Sequence, residues 1–173
     1  MIELPKNRND LAKLFTGVGA EIGVERAHFS RHIAKTAAKL YCIDPWKTGP
    51  VYGFRDYVTQ DRLDSFYEEA KGRMESFNCE FIRKISQDAV KDFEDESLDF
   101  VYIDANHDYE NTRNDIREWS KKVKKGGIVS GHDYVEKISQ VYTFGVVKAV
   151  NELGMDVTIW AGDKSPSWSY IKE

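Results

Sequence analysis

The chain has only two cysteines and four prolines in 173 residues. Two thiols make no disulfide framework. Cys42 and Cys79 each fall in an apolar stretch of strand character, where a reduced cysteine behaves as a small buried hydrophobe. No apolar run is long enough to span a bilayer, and the N-terminus carries no signal-peptide core. These absences predict a cytoplasmic protein with no membrane partner. A long basic run is also missing. The densest, Lys121-Lys122-Val123-Lys124-Lys125, has the character of a helix end, where lysines complement the helix dipole. With a net charge of −4, the chain lacks the electrostatic footprint of a nucleic-acid binder. Repeats, low-complexity segments and interdomain linkers are absent, so one domain is expected over 1–173.

What is present centres on Leu98 to Tyr109, LDFVYIDANHDY. Its first half is a nearly continuous apolar run, as in a strand buried on both faces. Asp104, Asn106, His107 and Asp108 then crowd together. A second copy of this pattern, GIVSGHDY at Gly127 to Tyr134, ends in His132 and Asp133. Open α/β sheets bind ligands beyond the carboxyl ends of their strands, so Asp104, His107, His132 and Asp133 are read together as a site. Asp108 is read as a helix cap.

Around this stretch the chain alternates between strand and helix patterns. A short helical lead-in at Asn9 to Phe15 precedes a strand ending near Ile22. A helix is predicted from His28 to Lys39, with an apolar stripe of Phe29, Ile33, Ala37 and Leu40. A second strand, Lys39 to Ile43, ends in Asp44 and is stopped by Pro45. An acid in that place suits ribose hydroxyls in a nucleoside-binding fold. Pro45 to Gln60 is a long aromatic loop with Trp46, Tyr52, Phe54 and Tyr57, read either as a lid or as a flap packed on the sheet edge. A helix over Asp61 to Phe77, a strand at Glu80 to Arg83 and Ser86 as an N-cap follow. Ile116, Trp119 and Val123 stripe the next helix, and Phe144, Val147, Val150 and Leu153 the last. Two strands, Met155 to Trp160 and Ser167 to Ile171, are joined by a link too short for a crossover helix and must be antiparallel. The fold class is therefore α/β: a Rossmann-like, doubly wound, mostly parallel seven-stranded sheet with a C-terminal antiparallel hairpin.

From about Gly19 to Ile171 the chain resembles a small class I S-adenosylmethionine-dependent methyltransferase. Its motifs are similar to those of the branch with E-I-G-V-x-x-G-x-F-S at motif one and D-x-x-H-x-Y after strand four. The resemblance implies one class I methyltransferase domain with S-adenosyl-L-methionine as cofactor. It implies cofactor contacts at Glu21 and Gly23 in motif one, Asp44 at the ribose, Gln87, Asp88 and Ala89 at the adenine edge, and Asp104 near the methyl group. The chain departs from the pattern at Glu25 and Ala27, which stand where glycines are expected; a wider loop would accommodate them. The Asn/Asp-Pro-Pro-aromatic motif of amino-methylating nucleic-acid enzymes is replaced by Asp104-Ala105-Asn106-His107.

The expected reaction is methyl transfer to oxygen on a small-molecule acceptor, such as a sugar or secondary metabolite, with Asp104, His107 and His132 as catalytic residues. His107 or His132 could act as general base. Alternatively Asp104, His132 and Asp133 could hold Mg²⁺ or Mn²⁺. Two other readings stand beside it. One is a non-catalytic nucleoside-binding module, favoured by Ala27. The other is a nicotinamide-dependent oxidoreductase, whose G-x-G-x-x-G is not supplied by Gly23 to His28. The sequence leaves oligomeric state open, a homodimer included.

Overall fold

In the computed structural model, which describes residues 6–49, 58–136 and 144–173, seven strands form one sheet. They are β1 (Gly17–Ile22), β2 (Ala37–Ile43), β3 (Cys79–Ile82), β4 (Leu98–Ile103), β5 (Val123–Gly131), β6 (Thr158–Trp160) and β7 (Ser167–Ile171). Their order across the sheet is β3-β2-β1-β4-β5-β7-β6. The first five run parallel, and β7 is antiparallel to both β5 and β6. The helices are α1 (Arg8–Ala12), α2 (Ser30–Ile33), α3 (Gln60–Met74), α4 (Ser86–Ala89), α5 (Tyr109–Lys122) and α6 (Val146–Asn151). After β3 the chain returns to lay β4 against the other side of β1. Strand order therefore reverses between β1 and β4, which opens a crevice at their carboxyl ends.

Alternation along the central strands feeds two cores. Phe100 and Tyr102 pack on one face with Leu11, Phe29, Ile33 and Leu63. Val101 and Ile103 point to the other, against Ile116, Trp119 and Val146. Asp108 is the N-cap of α5, accepting from the Asn111 N–H at 3.0 Å. Cys42 and Cys79 are both free thiols; Cys42 is buried and Cys79 half-buried.

Several boundaries differ from the sequence expectation. The helix expected to reach Lys39 is the single turn of α2, because Ala37 already pairs with Gly17 and Lys39 with Val18. β2 lies between two strands, so ladder bonds on both sides override the helical preference of Ala and Lys. Val123 leaves the helical stripe to start β5 opposite Leu98, and a register shift before Ile128 absorbs Lys124 to Gly127. α6 buries Val146, Ala149 and Val150 rather than the stripe through Val147. β6 begins at Thr158, not Met155.

Ser86 is the first residue of α4 rather than its cap, which is Ile85. Its hydroxyl instead donates to buried Asp115 at 2.5 Å and accepts from the Trp119 indole at 2.8 Å. Burial pushes the Asp115 carboxyl up from 3.8 to about 7, against the opposing bond from Ser86. The folded state thus binds this proton more tightly than the unfolded chain. The stabilisation is complete below the unfolded value and is lost as pH rises through about 7. It is on the order of 3–4 kcal/mol. Asp115→Asn keeps an acceptor for Ser86 and removes the titration. Urea unfolding across this pH range should show the variant gaining on the wild type as pH rises.

Candidate active site

The crevice at the β1–β4 switch holds a cavity of about 470 Å³. Glu21 and Gly23 reach it from the end of β1, Asp104 and His107 from the end of β4, and Arg8 from α1. Gly23 has φ +91°, and a side chain there would overlap the backbone carbonyl of Asp104. The glycine lets two loops touch at the floor of the cavity. Glu21 is only 2% exposed and accepts from the Ser30 hydroxyl at the start of α2. Burial, opposed by that bond, pushes its carboxyl up to about 8, so it is largely protonated at neutral pH.

The motif-one loop accommodates Glu25 and Ala27 through its backbone conformation. Glu25 and Ala27 both adopt left-handed backbone, at φ +51° and +58°. They thus keep the conformation that glycine would supply, at a cost of about 1–2 kcal/mol each. Asp44 offsets part of that cost. It is buried, and its Oδ2 accepts from the N–H groups of Val24 and Glu25 at 3.1 and 3.0 Å, while Oδ1 accepts from Trp46 N–H at 2.9 Å. Trp46 closes the clasp by donating its indole N–H to the Glu25 carbonyl at 2.7 Å. Trp46 is fully buried and packs on Tyr67 and Phe81, which makes it part of the core rather than a lid. Tyr52, Phe54 and Tyr57 of the same aromatic loop lie outside the described residues.

At the ends of β4 and β5 four polar side chains converge. The His107 Nε2 lies 2.8 Å from Asp133 Oδ2 and 3.3 Å from Asp104 Oδ1. The His132 Nδ1 lies 3.4 Å from Asp133 and 3.7 Å from Asp104. Burial favours neutral His107, but bonds to Asp104 and Asp133 outweigh it and raise its pKa to about 9. Burial likewise opposes ionised Asp133, yet hydrogen bonds from His107, His132 and Ser165 hold its carboxyl well below the usual range. The centre is therefore an imidazolium clasped by two carboxylates. Phe144 covers it, with the rings 4.8 Å apart and 9° from parallel.

Asp104, His107 and Asp133 place three donor atoms within 4.8 Å of one another. Two carboxylates and one imidazole fit a hard divalent cation. This triple has His107 where the sequence reading had His132.

The residues expected at the adenine edge, Gln87, Asp88 and Ala89, do not line this cavity. Asp88 is exposed, pairs with Lys91 at 2.8 Å and lines a separate cavity with Pro45, Lys47 and Arg83. Gln87 donates to Asn111 at 3.1 Å, and Ala89 is buried in the core. Asp44 links the two regions: its bonded partners Val24 and Glu25 line the first cavity, and its neighbour Pro45 the second. Sequence reading missed Arg8, Ser30, Phe144 and Ser165. Ser30 is the closing serine of the motif-one pattern, nine residues from Glu21, and could have been found there; Arg8, Phe144 and Ser165 carry no local pattern, because each reaches the site from an element distant in the chain.

A family profile described as "Methyltransferase domain" matches residues 17–134. Among curated proteins, the uncharacterised protein y4gI of Sinorhizobium fredii is 25% identical over 103 residues, 56% of this chain. That match spans 10% of the relative's own length. Among solved structures, N-methyltransferase NodS from Bradyrhizobium japonicum is similar with a TM-score of 0.64 at 13% identity, covering 96% of this chain and 93% of that one. An rRNA methylase from Streptococcus thermophilus gives 0.64 at 14% identity, with 99% and 98% covered. The DhpI–SAH complex gives 0.59 at 14% identity, with 95% and 85% covered. These likenesses establish the fold, and the profile match over most of the chain places this protein in the methyltransferase-domain family.

Proposed function

We propose that this chain is an S-adenosylmethionine-dependent methyltransferase that methylates a hydroxyl oxygen of a small-molecule acceptor, such as a sugar or secondary metabolite. The observation that carries the reading is the Asp104–His107–His132–Asp133 cluster beside a cavity floored by Gly23. A hydroxyl must lose its proton as it attacks, and this cluster places an imidazole and two carboxyl groups where they could take it. The net negative charge argues for a small acceptor over RNA.

When bound, S-adenosylmethionine would supply an electrophilic methyl carbon with a thioether as leaving group, and the residues of this chain would align the acceptor hydroxyl with it and take the hydroxyl proton. Alignment of the two reactants by the cavity is worth up to about 7–11 kcal/mol in favourable cases. His132, 3.4 Å from Asp133 and 3.7 Å from Asp104, is the general base of this reading. His107 orients Asp104 and Asp133 and balances their charge. A divalent ion such as Mg²⁺ or Mn²⁺ would have to displace the His107 proton; it would then be held by Asp104, His107 and Asp133 and would acidify a coordinated hydroxyl. The left-handed turn at Ala27 keeps the backbone conformation a glycine would supply there, which supports a working motif-one loop over a non-catalytic module.

Calorimetric titration with S-adenosylhomocysteine, with Mg²⁺ and again with a chelator, tests the proposal. Micromolar binding is the expected result. A chain that binds nothing under either condition would sink it.

A further inference from the structure

The cavity above Gly23 is lined by three acidic residues, Glu21, Glu25 and Asp104, and by one arginine, Arg8. Among the described residues the Arg8 guanidinium makes no hydrogen bond and no ion pair; its contact is with the face of Phe29, 5.0 Å from the ring centroid. It is nonetheless held in place. The Arg8 N–H donates to Asp163 at 3.0 Å, and Gly162 N–H donates to the Lys6 carbonyl at 3.0 Å. Gly162 and Asp163 are adjacent in the one loop between β6 and β7, so the C-terminal hairpin anchors the start of α1. A capping box between Asn7 and Asp10 fixes the helix turn itself. A guanidinium lying over an aromatic face keeps its in-plane N–H groups free for a planar anion.

We infer that Arg8 binds the methionyl carboxylate of the cofactor, with Asp104 facing the methionyl ammonium across the same cavity. The inference rests on the cofactor reading proposed above and adds a residue to it. Charge selects the ligand. A strongly anionic group, such as an acceptor phosphate, would meet Arg8 but also the surrounding acids. A zwitterionic amino acid meets a cation at one end and a carboxylate at the other. A carboxylate is also the planar partner that a guanidinium binds through two parallel N–H bonds.

The test compares S-adenosylhomocysteine with 5′-methylthioadenosine, which keeps the nucleoside and thioether but has no amino-acid end. Both are titrated calorimetrically into the full chain, its Arg8→Gln variant and its Arg8→Lys variant. Arg8→Gln should raise the S-adenosylhomocysteine Kd by about tenfold or more, the scale of a lost charge-assisted bond. Methylthioadenosine affinity should hold within about twofold, and Arg8→Lys should fall between. Equal weakening of both ligands would overturn the inference, because Arg8 would then only support the loop. An unchanged S-adenosylhomocysteine Kd would also overturn it, and a raised acceptor KM alone would assign the residue to the acceptor. A wild-type chain that binds methylthioadenosine but not S-adenosylhomocysteine refutes the carboxylate contact. A wild type that binds neither refutes the cofactor reading and this inference together.

Discussion

Asp104→Asn should lower kcat by about two to four orders of magnitude, the usual worth of a positioned proton-transfer group. The S-adenosylhomocysteine Kd should rise by no more than about tenfold, since one charged contact among several is lost. The reason lies in what Asp104 faces. Its carboxylate lines the cavity, meets His107 at 3.3 Å and stands 3.7 Å from His132. The amide keeps the shape but loses the charge that balances the His107 imidazolium. Asp133→Asn should have a similar effect on kcat. Its backbone sits at φ +53°, a conformation asparagine tolerates well, so the fold should survive. Both carboxylates hold the same His107 nitrogen, so the double variant should cost far less than the product of the two single losses. Steady-state kinetics on the three variants, with cofactor titrations alongside, read this out. Equal losses in kcat and cofactor affinity for Asp104→Asn would mean that it serves binding alone.

Gly23→Ala should destabilise the protein by about 2–5 kcal/mol, combining left-handed strain with overpacking. The added carbon would sit inside the Asp104 carbonyl and 2.9 Å from the Ala105 Cα. Backbone on one side and a β1 terminus on the other leave little room to yield. Gly23 N–H also donates to the Ile43 carbonyl at 2.8 Å, which pins the loop to β2. Any relaxation that admits the methyl must push Asp104 away from His107 and narrow the cavity. Cofactor affinity should therefore fall together with stability. Gly72→Ala is the internal comparison. Gly72 lies in α3 with open space around its Cβ direction, and alanine there should stabilise the helix by about 0.5–1 kcal/mol. Urea unfolding of both variants gives the contrast. A Gly23→Ala protein as stable as the wild type would refute the close approach of the two loops.

Local pattern was enough to place the parts that repeat. The apolar run from Leu98 to Ile103 is β4 to the residue, and α3 buries Leu63, Phe66, Ala70 and Met74 at the expected spacing. The short link after β6 required an antiparallel pair, and β7 is antiparallel to β6. These follow from periodicity and chain length, which neighbouring residues settle among themselves. Asp104 and Asp133 were legible as strand-end residues for the same reason.

Which side chains meet was decided by strand order and register. β4 and β5 lie side by side, so His107 reaches Asp133, and the carboxylates come closer to His107 than to His132. Register between β1 and β2 ended α2 after one turn, although the Ala and Lys residues that follow favour helix. Asp44 kept its place at the end of β2, but its oxygens went to Val24, Glu25 and Trp46 N–H groups, which hold Glu25 in its left-handed turn. Arg8 reached the cavity because the β6–β7 hairpin anchors α1 there. Periodicity and turn chemistry act within a few residues, and so the sequence alone determined the elements and the strand ends that carry chemistry. Buried charges and unpaired N–H groups find partners through space, and so only the packed sheet decided which of those residues form the site.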